Sequence, residues 1–476
     1  MLAAPTHDDL ARLHGLLGEA PPADPVPQRY LEEPRDKHRG HAATVLRPSE
    51  TAGVAAVVAY CAERRIPVIP YAGGTGLVGG QLTDRGPPPV ILSLERLDRI
   101  RRVSAEDDAI VAEAGVILAD IQRAAEGIGR LFPLSLASEG SCRIGGNLAT
   151  NAGGVQVLRY GNARDLCLGI EAVLPDGSIH HGLRLLRKDN TGYDLRHLLI
   201  GSEGTLGIIT AAALKVFPRP GETVTAMLAV PSPAAALTLL HRLRAEIGDL
   251  TAFELIARQG IRFLAEHYPE KADPLESDPA WRVLLEATGP GGTDLAGRLE
   301  AALAGLFEEE LATDGTIAAS EAQRQHLWWM RETIPEANRK VGAISSHDLS
   351  VPMTAISRFI EEARTAMTDL DPELRINCFG HIGDGNLHFN LFPPEGRARQ
   401  DYANLSGEIM GRLHEVAHRL DGSISAEHGI GRAKASDLAR FGDPAKLAAM
   451  RTIKYALDPH GIMNPGAIFG DTGPAD

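Results

Sequence analysis

The chain has 476 residues, of which 44% are hydrophobic and 23% are charged, and its formal net charge is −14 at pH 7. A chain of this length is too long for one hydrophobic core, so we expect two or three globular domains. The acidic balance argues against nucleic acid as a partner, because a phosphate-binding face needs clustered Lys and Arg. The sequence contains no apolar run of about 18 residues and therefore predicts no membrane span.

The N-terminal stretch MLAAPTHDDLARL differs from a secretory signal peptide, because it has no long apolar region and carries Asp8 and Asp9 where such peptides are positive. We therefore expect a cytoplasmic enzyme. The cysteines are scattered without a CxxC pair, which is typical of reduced thiols. They are Cys61, Cys142, Cys167 and Cys378.

The first half of the chain predicts a helical N-terminal segment over 1–42 and then a domain of short strands and glycine-rich loops over 43–221. TAGVAAVVAYCAERR has helical spacing of Ala and Val. The runs IPVIP, PVILSL and AIVAEAG indicate strands, EAVLPDGSIHHG a hairpin and GIITAAALKVF a further strand. We place the domain boundary at the Pro-rich stretch ending at Gly221.

The second half predicts a different organisation. From 222 to 420, helices such as SPAAALTLLHRLRAEI and residues 354–367 alternate with strands, which is typical of an α+β domain. The remaining segment, 421–476, contains a glycine-rich turn and the helix DPAKLAAMRTIKYAL.

The stretch PVIPYAGGTGLVGGQL brings a glycine-rich loop directly after a predicted strand. Gly74, Gly76 and Gly79 satisfy GxGxxG, but the dinucleotide fold needs a helix next, and TDRGPPPV follows instead. We interpret the loop as a pyrophosphate cradle built from backbone amides; the alternative is a flexible surface loop. Two later stretches, PLSLASEGSCRIGGNLATNAGGVQVLRYG and IGSEGTLGIIT, offer similar amide and hydroxyl donors.

CFGHIGDGNLHFNLF contains two histidines around a Gly-Asp-Gly-Asn sequence. The dipeptide Asp384-Gly385 favours a two-residue hairpin turn, which would pair His381 with His388 across the ladder. Two such imidazoles can bind one metal ion; the alternative is a partly buried, hydrogen-bonded pair. SISAEHGIG adds Glu427 beside His428, and one carboxylate with two imidazoles makes the ligand set of an open metal site. The alternative there is a surface charge beside a polar histidine.

Six motifs occur in an order that resembles one family: AGGTGLVGG, GSCRIGGNLATNAGG, GSEGTLGIIT, GHIGDGNLH, SAEHGIG and MNPGAIF. They resemble the FAD-dependent D-2-hydroxyacid dehydrogenases of the vanillyl-alcohol-oxidase-type flavoprotein superfamily, over about residues 40 to 469. The resemblance implies an α+β fold with a two-part FAD-binding domain. It also implies an α+β substrate (cap) domain and a C-terminal helical segment that returns to the flavin.

The resemblance also implies functional residues. Non-covalent FAD would be bound by Pro70, Gly73, Gly74, Thr75, Gly76, Leu77, Gly79, Gly80, Pro133, Ser138, Gly140, Ser141, Ile144, Gly145, Gly146, Asn147, Ala149, Thr150, Asn151, Gly153, Gly154, Gly204, Thr205, Gly207, Ile208, Ile209 and Asn464. His381, His388 and Glu427 would hold a divalent metal, with Zn²⁺ ahead of Mn²⁺ and Fe²⁺. His428 would be the base that takes the proton of the substrate's C2 hydroxyl.

Arg331 is the predicted partner of the substrate carboxylate, since arginine binds carboxylates in a bidentate fork; the alternative is an ordinary helix-surface arginine. Asn390 lies two residues after His388, hence on the same strand face, and is a predicted substrate contact. Two positions depart from the 2-hydroxyglutarate enzymes: Pro335 replaces a threonine and Ser346 a lysine. Both changes weaken the expected anion site. Arg339 or Lys340 would be the compensating cation.

We expect oxidation of a D-2-hydroxy acid to the 2-oxo acid, with D-2-hydroxyglutarate ahead of D-lactate or glycolate. Electron-transfer flavoprotein, a quinone or a cytochrome would accept the electrons, and a homodimer is compatible with the sequence. The alternatives from other classes are a metal-dependent hydrolase without flavin and a non-enzymatic assembly subunit of a larger oxidase.

Overall fold

The computed structural model describes residues 1–22, 24–34, 38–248 and 250–470, so the predicted segments 1–42 and 421–476 lie partly outside the described residues. The helices are α1 (His7–Leu16), α2 (Thr51–Arg64), α3 (Leu118–Glu126), α4 (Ile144–Ala149), α5 (Val157–Tyr160), α6 (Leu195–Leu199), α7 (Pro233–Glu246), α8 (Arg258–His267), α9 (Leu295–Glu308), α10 (Glu321–Val341), α11 (Ile356–Thr368), α12 (Ser406–Arg419), α13 (Ala435–Phe441) and α14 (Pro444–Leu457). The strands are β1 (Thr44–Leu46), β2 (Val68–Tyr71), β3 (Val90–Ser93), β4 (Ile100–Ser104), β5 (Ala109–Glu113), β6 (Arg130–Leu131), β7 (Cys167–Val173), β8 (Ile179–Gly182), β9 (Ile208–Lys215), β10 (Phe217–Pro218), β11 (Glu222–Val230), β12 (Leu250–Ala257), β13 (Trp281–Gly289), β14 (Asp314–Ile317), β15 (Ser345–Ser350), β16 (Arg375–Gly380) and β17 (Asn386–Phe392).

The described residues divide into two compact units. Unit 1 contains residues 1–154, 161–219 and the C-terminal residues from 427 onward, and unit 2 contains 155–160 and 220–426. Most of unit 2 is therefore one continuous insertion in the sequence of unit 1.

Unit 1 contains a small parallel sheet and a larger antiparallel one. The parallel sheet has the order β1-β3-β2, and the antiparallel sheet has the order β4-β5-β9-β7-β8. Helix α2 joins β1 to β2, and its buried residues recur at helical spacing: Val54, Val57, Val58 and Cys61. The predicted helix, strands and β7–β8 hairpin of this region are confirmed.

The N-terminal segment is less helical than predicted. Among its described residues, α1 and a short 3-10 helix over Gln28–Tyr30 are helical. Pro21, Pro22, Pro25 and Pro27 lie between these two helices, and proline breaks a helix because it has no N–H and its ring clashes with the preceding turn.

Unit 2 is built on one antiparallel sheet with the order β14-β11-β13-β12-β16-β17-β15. Alternate strand residues face opposite sides. One face packs against α7, α9, α11 and α12, and the other packs against α8 and α10. The sheet is thus the middle of three layers, and the face toward α10 carries the polar residues described below.

Candidate active site

The carboxyl end of β2 opens into the glycine-rich loop 72–80, which lines a cavity within unit 1. The space in and in front of this cavity amounts to about 900 Å³, open solvent at its mouth included. Residues 72–89, all described, contain no helix. The prediction that this GxGxxG sequence does not open a dinucleotide-fold helix is therefore confirmed.

Two glycines bring the backbones around the cavity into close contact. A Cβ atom added at Gly73 would lie 2.7 Å from the carbonyl oxygen of Ser141. One added at Gly145 would lie 2.5 Å from the Cβ atom of Ala114. Because real Cβ contacts are longer than this, a residue with a side chain would push the loops apart. Glycine at these positions keeps the cavity walls, and their backbone amides, where they are.

The hydrogen bonding of Asn147 indicates whether the cavity suits a flavin dinucleotide. It lines the cavity and is only 6% exposed, and its Oδ1 atom accepts no hydrogen bond from the described residues. Buried polar atoms are rarely left without a partner, so this acceptor suits a donor from a bound ligand. The hydroxyl groups of FAD are donors of that kind, and the residues present therefore fit the cofactor.

Many of the predicted FAD contacts line the cavity: Pro70, Gly73, Gly74, Thr75, Gly76, Gly80, Gly145, Gly146, Asn147, Ala149, Thr150, Gly204, Gly207, Ile208, Ile209 and Asn464. Others lie outside its lining: Leu77, Gly79, Pro133, Ser138, Gly140, Ser141, Ile144, Asn151, Gly153, Gly154 and Thr205. Sequence reasoning missed Tyr71, Ala72, Val78, Gln81, Leu94, Arg143, Leu199, Ser202 and Glu203. For Glu203 the signal was a charge inside a glycine-rich stretch.

Glu203 connects the cavity wall to the C-terminal segment. Its carboxylate oxygens accept hydrogen bonds from the backbone N–H groups of Ile430 and Gly431, both at 2.7 Å. Burial raises the pKa of Glu203, and the two N–H groups act in the opposite direction. Asn464 adds a second connection, because its Nδ2 atom donates to the carbonyl oxygens of Gly80 (3.0 Å) and Glu203 (2.8 Å).

His428 lines the same cavity as the glycine-rich loops. Its Nε2 atom lies 3.8 Å from Oε1 of Glu427, which is longer than a hydrogen bond. Glu203 holds residues 430 and 431, so the backbone that carries His428 is fixed just beyond it. An imidazole thus lies in the lining of a cavity that fits a flavin.

In unit 2, strands β16 and β17 pair in a register that differs from the predicted one. His388 lies opposite Phe379, and the connecting loop covers residues 381–385. The predicted two-residue turn and the pairing of His381 with His388 are therefore wrong. The loop packs closely on the residue that follows β15, since a Cβ atom on Gly385 would lie 2.3 Å from the carbonyl oxygen of Val351. The two imidazole centroids are nevertheless 5.7 Å apart, and their role as metal ligands stays a prediction.

Glu254, on β12, connects two of the predicted site residues. It is fully buried; its Oε1 atom lies 2.5 Å from Nδ1 of His381, and its Oε2 atom accepts from Nε of Arg331 at 2.7 Å. Burial acts to raise the pKa of Glu254, but His381 and Arg331 hold it to about 2. Because an ionised carboxylate only accepts hydrogen bonds, Nδ1 of His381 is the donor.

Arg331 is not the surface arginine of the alternative interpretation, because only 5% of it is exposed. Its guanidinium lies over the ring of Phe379, with Cζ 4.8 Å from the ring centroid. Glu254 binds Nε, whereas four of the five N–H donors of a guanidinium are on the Nη atoms. Binding of a substrate carboxylate by Arg331 stays a prediction.

Asp348, on β15, is a buried acid that sequence reasoning missed. Its Oδ1 atom accepts from Nδ2 of Asn386 at 2.9 Å, and its Oδ2 atom accepts from the backbone N–H of Ala426 at 3.1 Å. Nδ1 of His388 lies 3.9 Å from Oδ1.

A row of neutral polar residues crosses the strands beside this cluster. Asn390 lies opposite Ser346 on β15 and opposite Asn377 on β16. Nδ2 of Asn377 donates to Oδ1 of Asn338 on α10 at 2.9 Å. The side chains in this row carry no formal charge, so the row does not contain the cation that the resemblance implies.

Helix α10 continues through Pro335, whose ring nitrogen cannot donate to the carbonyl of Arg331. Arg339 and Lys340 are exposed, whereas Arg331 and Asn338 lie on the buried face of the same helix. Nζ of Lys340 donates to the hydroxyl of Tyr268 at 2.9 Å. The structure therefore gives no support to Arg339 or Lys340 as the compensating cation.

A cavity walled by glycine-rich loops, with a histidine in its lining, is compatible with a flavin-dependent oxidoreductase. Residues 42–182 match the family "FAD binding domain", and residues 219–468 match "FAD linked oxidases, C-terminal domain". The chain belongs to the FAD-linked oxidases. The predicted family and the FAD cofactor are confirmed.

Two curated relatives are similar over most of the chain. D-2-hydroxyglutarate dehydrogenase, mitochondrial, from Arabidopsis thaliana is 37% identical over 430 residues, which cover 90% of this chain and 75% of the relative. A Schizosaccharomyces pombe protein, provisionally named as a mitochondrial D-lactate dehydrogenase, is 34% identical over 440 residues, which cover 90% of this chain and 82% of the relative.

Among solved structures, p-cresol methylhydroxylase with substrate bound matches with a TM-score of 0.71 at 16% identity, covering 98% of this chain and 94% of that chain. At this identity the likeness concerns the fold alone. The predicted fold class, with FAD-binding parts of the vanillyl-alcohol-oxidase type, is confirmed.

The expected cytoplasmic location is wrong, because both relatives described above are named as mitochondrial. Reduced thiols and a missing apolar run are as compatible with a mitochondrial protein as with a cytoplasmic one, so neither feature could separate the two. Within the described residues, every helix is too short or too polar to cross a membrane.

Proposed function

We propose that the chain is an FAD-dependent dehydrogenase that oxidises D-2-hydroxyglutarate to 2-oxoglutarate. The observation that carries the proposal is that His428 lines the cavity formed by the glycine-rich loops. An oxidation at a C2 hydroxyl removes a proton and a hydride, so it needs a base close to the flavin. The name and the 37% identity of the Arabidopsis thaliana relative support this substrate.

In this proposal the parts of the chain have separate tasks. Residues 43–221 and 421–476 bind FAD non-covalently, and residues 222–420 bind the substrate. Non-covalent binding agrees with Cys142, which is buried, has a pKa raised by that burial, and does not line the cavity. When bound, FAD supplies the hydride acceptor and a divalent metal supplies a Lewis acid for the C2 hydroxyl.

His381, His388 and Glu427 are the proposed metal ligands, with Zn²⁺ as the first choice. The hydrogen bond from Nδ1 of His381 to Glu254 supports this role, because it leaves Nε2 of a neutral ring with its lone pair. The 5.7 Å separation of the two imidazole centroids is compatible with a shared ion. His428 would accept the proton of the C2 hydroxyl on an imidazole nitrogen, and Arg331 and Asn390 would orient the substrate.

D-Lactate is the second candidate substrate. The polar row at Ser346 is neutral, and D-lactate lacks the distal carboxylate that a cation would bind. The provisional name of the Schizosaccharomyces pombe relative also supports it. For the electrons we propose electron-transfer flavoprotein or a quinone as acceptor, and a homodimer stays a prediction.

The test is a panel of 2-hydroxy acids, both enantiomers of each, with an artificial dye as electron acceptor. We expect D-2-hydroxyglutarate to give the highest kcat/KM, with D-lactate second. A purified protein without flavin absorbance would support the hydrolase alternative. A flavin-loaded protein that reduces the dye with none of these acids would support the assembly-subunit alternative.

A further inference from the structure

Glu254 is a buried charge whose two oxygens bind two different functional side chains. It is fully buried on β12, which pairs with β16 at Leu255 and Gly380. Its partners come from distant parts of the chain, His381 in the loop after β16 and Arg331 in α10. A buried ion pair often contributes little to the stability of the fold. We therefore explain the buried charge of Glu254 by a role in the site.

The carboxylate determines which nitrogen of His381 carries the proton. An ionised carboxylate has acceptors only, so Nδ1 of His381 must donate across the 2.5 Å contact. A neutral ring then has its lone pair on Nε2, which is the form that coordinates a metal. Metal-binding histidines commonly donate their other N–H to a carboxylate, which fixes the tautomer and the ring orientation.

The second oxygen of Glu254 orients the guanidinium of Arg331. It accepts from Nε at 2.7 Å, and the ring of Phe379 lies against the guanidinium plane. These two contacts fix the plane of the Arg331 guanidinium. They therefore also fix the direction in which its Nη atoms point. One side chain thus sets the orientation of a proposed metal ligand and of a proposed substrate cation.

We propose that Glu254 is a positioning residue that keeps the lone pair of a neutral His381 on Nε2, the nitrogen that would coordinate the metal. This inference rests on the proposed function, because it takes His381 as a ligand. Its clearest consequence concerns Glu254→Gln. The amide has one acceptor, and Arg331, which is always charged, needs it. The amide N–H₂ then faces Nδ1 of His381, which must become the acceptor, and the ring proton moves to Nε2 where it blocks coordination.

The experiment is a titration of the metal-free protein with Zn²⁺ alone, followed by competition with a chromophoric chelator. We expect Glu254→Gln to bind Zn²⁺ about 10–100-fold more weakly than the wild type, the usual effect of losing such a partner. Glu254→Asp keeps an acceptor-only group, so we expect a smaller loss and a partial rescue relative to Gln. An equal loss in both variants would overturn the tautomer argument.

Glu286→Gln is the matched control. Glu286 is a buried carboxylate on the adjacent strand β13, and its Oε2 atom accepts from Nε of Arg324 and Nε1 of Trp328, both on α10. None of these groups is a histidine, so we expect lower thermal stability with unchanged Zn²⁺ affinity. If this control loses Zn²⁺ as Glu254→Gln does, the effect is general loosening, and the proposal is overturned.

The outcomes separate this inference from the proposed function. A wild type that binds no Zn²⁺, Mn²⁺ or Fe²⁺ overturns the proposed metal site together with this inference. A wild type that binds Zn²⁺ with the same affinity as Glu254→Gln overturns this inference alone. If Glu254→Gln does not fold, Glu254→Asp decides. Its carboxylate still only accepts hydrogen bonds but lies farther from Nδ1 of His381, so we expect a partial loss of Zn²⁺ affinity, and wild-type affinity in that variant overturns the positioning role.

Discussion

Replacing Gly73 with alanine should weaken flavin binding without unfolding the protein. The added Cβ atom would lie 2.7 Å from the carbonyl oxygen of Ser141, 3.0 Å from Cα of Cys142 and 3.2 Å from the amide nitrogen of Arg143. All three are backbone atoms, so no side-chain rotation relieves the contact. One of the two loops must move, and Gly73 and Arg143 both line the cavity.

The size of the effect follows from the clash. Overpacking of a well-packed site typically costs about 1–3 kcal/mol. If the flavin needs the original loop position, that free energy is lost from binding, and each 1.4 kcal/mol changes the affinity about tenfold. The dissociation constant of FAD should therefore rise by roughly 5- to 150-fold.

The assay is titration of the flavin-free protein with FAD, followed by flavin fluorescence, together with the flavin content of the purified variant. Gly15→Ala is the control, because Gly15 lies in α1 and an added Cβ would have no atom within 4 Å. Equal FAD affinity in Gly73→Ala, Gly15→Ala and the wild type would refute the claim that this loop contact shapes the flavin site.

The remaining predictions concern the base, the metal, the substrate and the N-terminal helix. His428→Ala should keep its metal, measured by elemental analysis, and its FAD, measured by absorbance. The rate of flavin reduction, measured by stopped flow, should fall by roughly 10²–10⁴-fold. If His428→Ala loses metal as His381→Ala is expected to, His428 is a metal ligand and not the base. Chelation should abolish turnover and leave the flavin bound, and release of both together would contradict separate sites. Ser346→Lys should lower KM for D-2-hydroxyglutarate more than for D-lactate, with Ser49→Lys as the exposed control, and equal changes would show that this position does not contact the distal carboxylate. Asp9→Asn should lower stability at pH 7 by about 1.5–3 kcal/mol, because hydrogen bonds led by that from Thr6 hold the pKa of Asp9 well below its usual range. That stabilisation is complete above the unfolded-state value of about 3.9 and is lost as pH falls through the folded-state value, so urea unfolding at pH 2 should show a smaller difference than at pH 7.

Local patterns predicted the elements whose determinants are local. The helix α2 follows from the spacing of four buried side chains, and α14 begins at Pro444 after the N-cap Asp443, whose carboxylate accepts from the N–H of Lys446. The prolines of TDRGPPPV correctly predicted that no helix follows the glycine-rich loop. In each case, the residues that decide the structure lie within a few positions of one another.

The site residues that sequence reasoning missed depend on distant partners. Glu254 and His381 are 127 positions apart, and no local pattern connects them. The hairpin register failed for a related reason: Gly385 suits a tight turn, but its carbonyl accepts a hydrogen bond from the N–H of Val351, just after β15 and distant in sequence. Gly154 similarly serves a close approach to Ser135, where an added Cβ would lie 2.1 Å from the carbonyl oxygen, and not the cavity lining.

The strand β2 that feeds the flavin cavity is completed by residues near the other end of the chain. Val68 donates its N–H to the carbonyl of Ile462 and accepts from the N–H of Asn464, each at 2.8 Å. During synthesis, residues 220–426 emerge before either partner exists. A nascent chain can therefore complete the insertion first, whereas unit 1 lacks its C-terminal part until about the last fifty residues have been made. We expect flavin uptake to be among the final events of biosynthesis, and a ribosome-stalled chain ending at residue 426 to remain colourless.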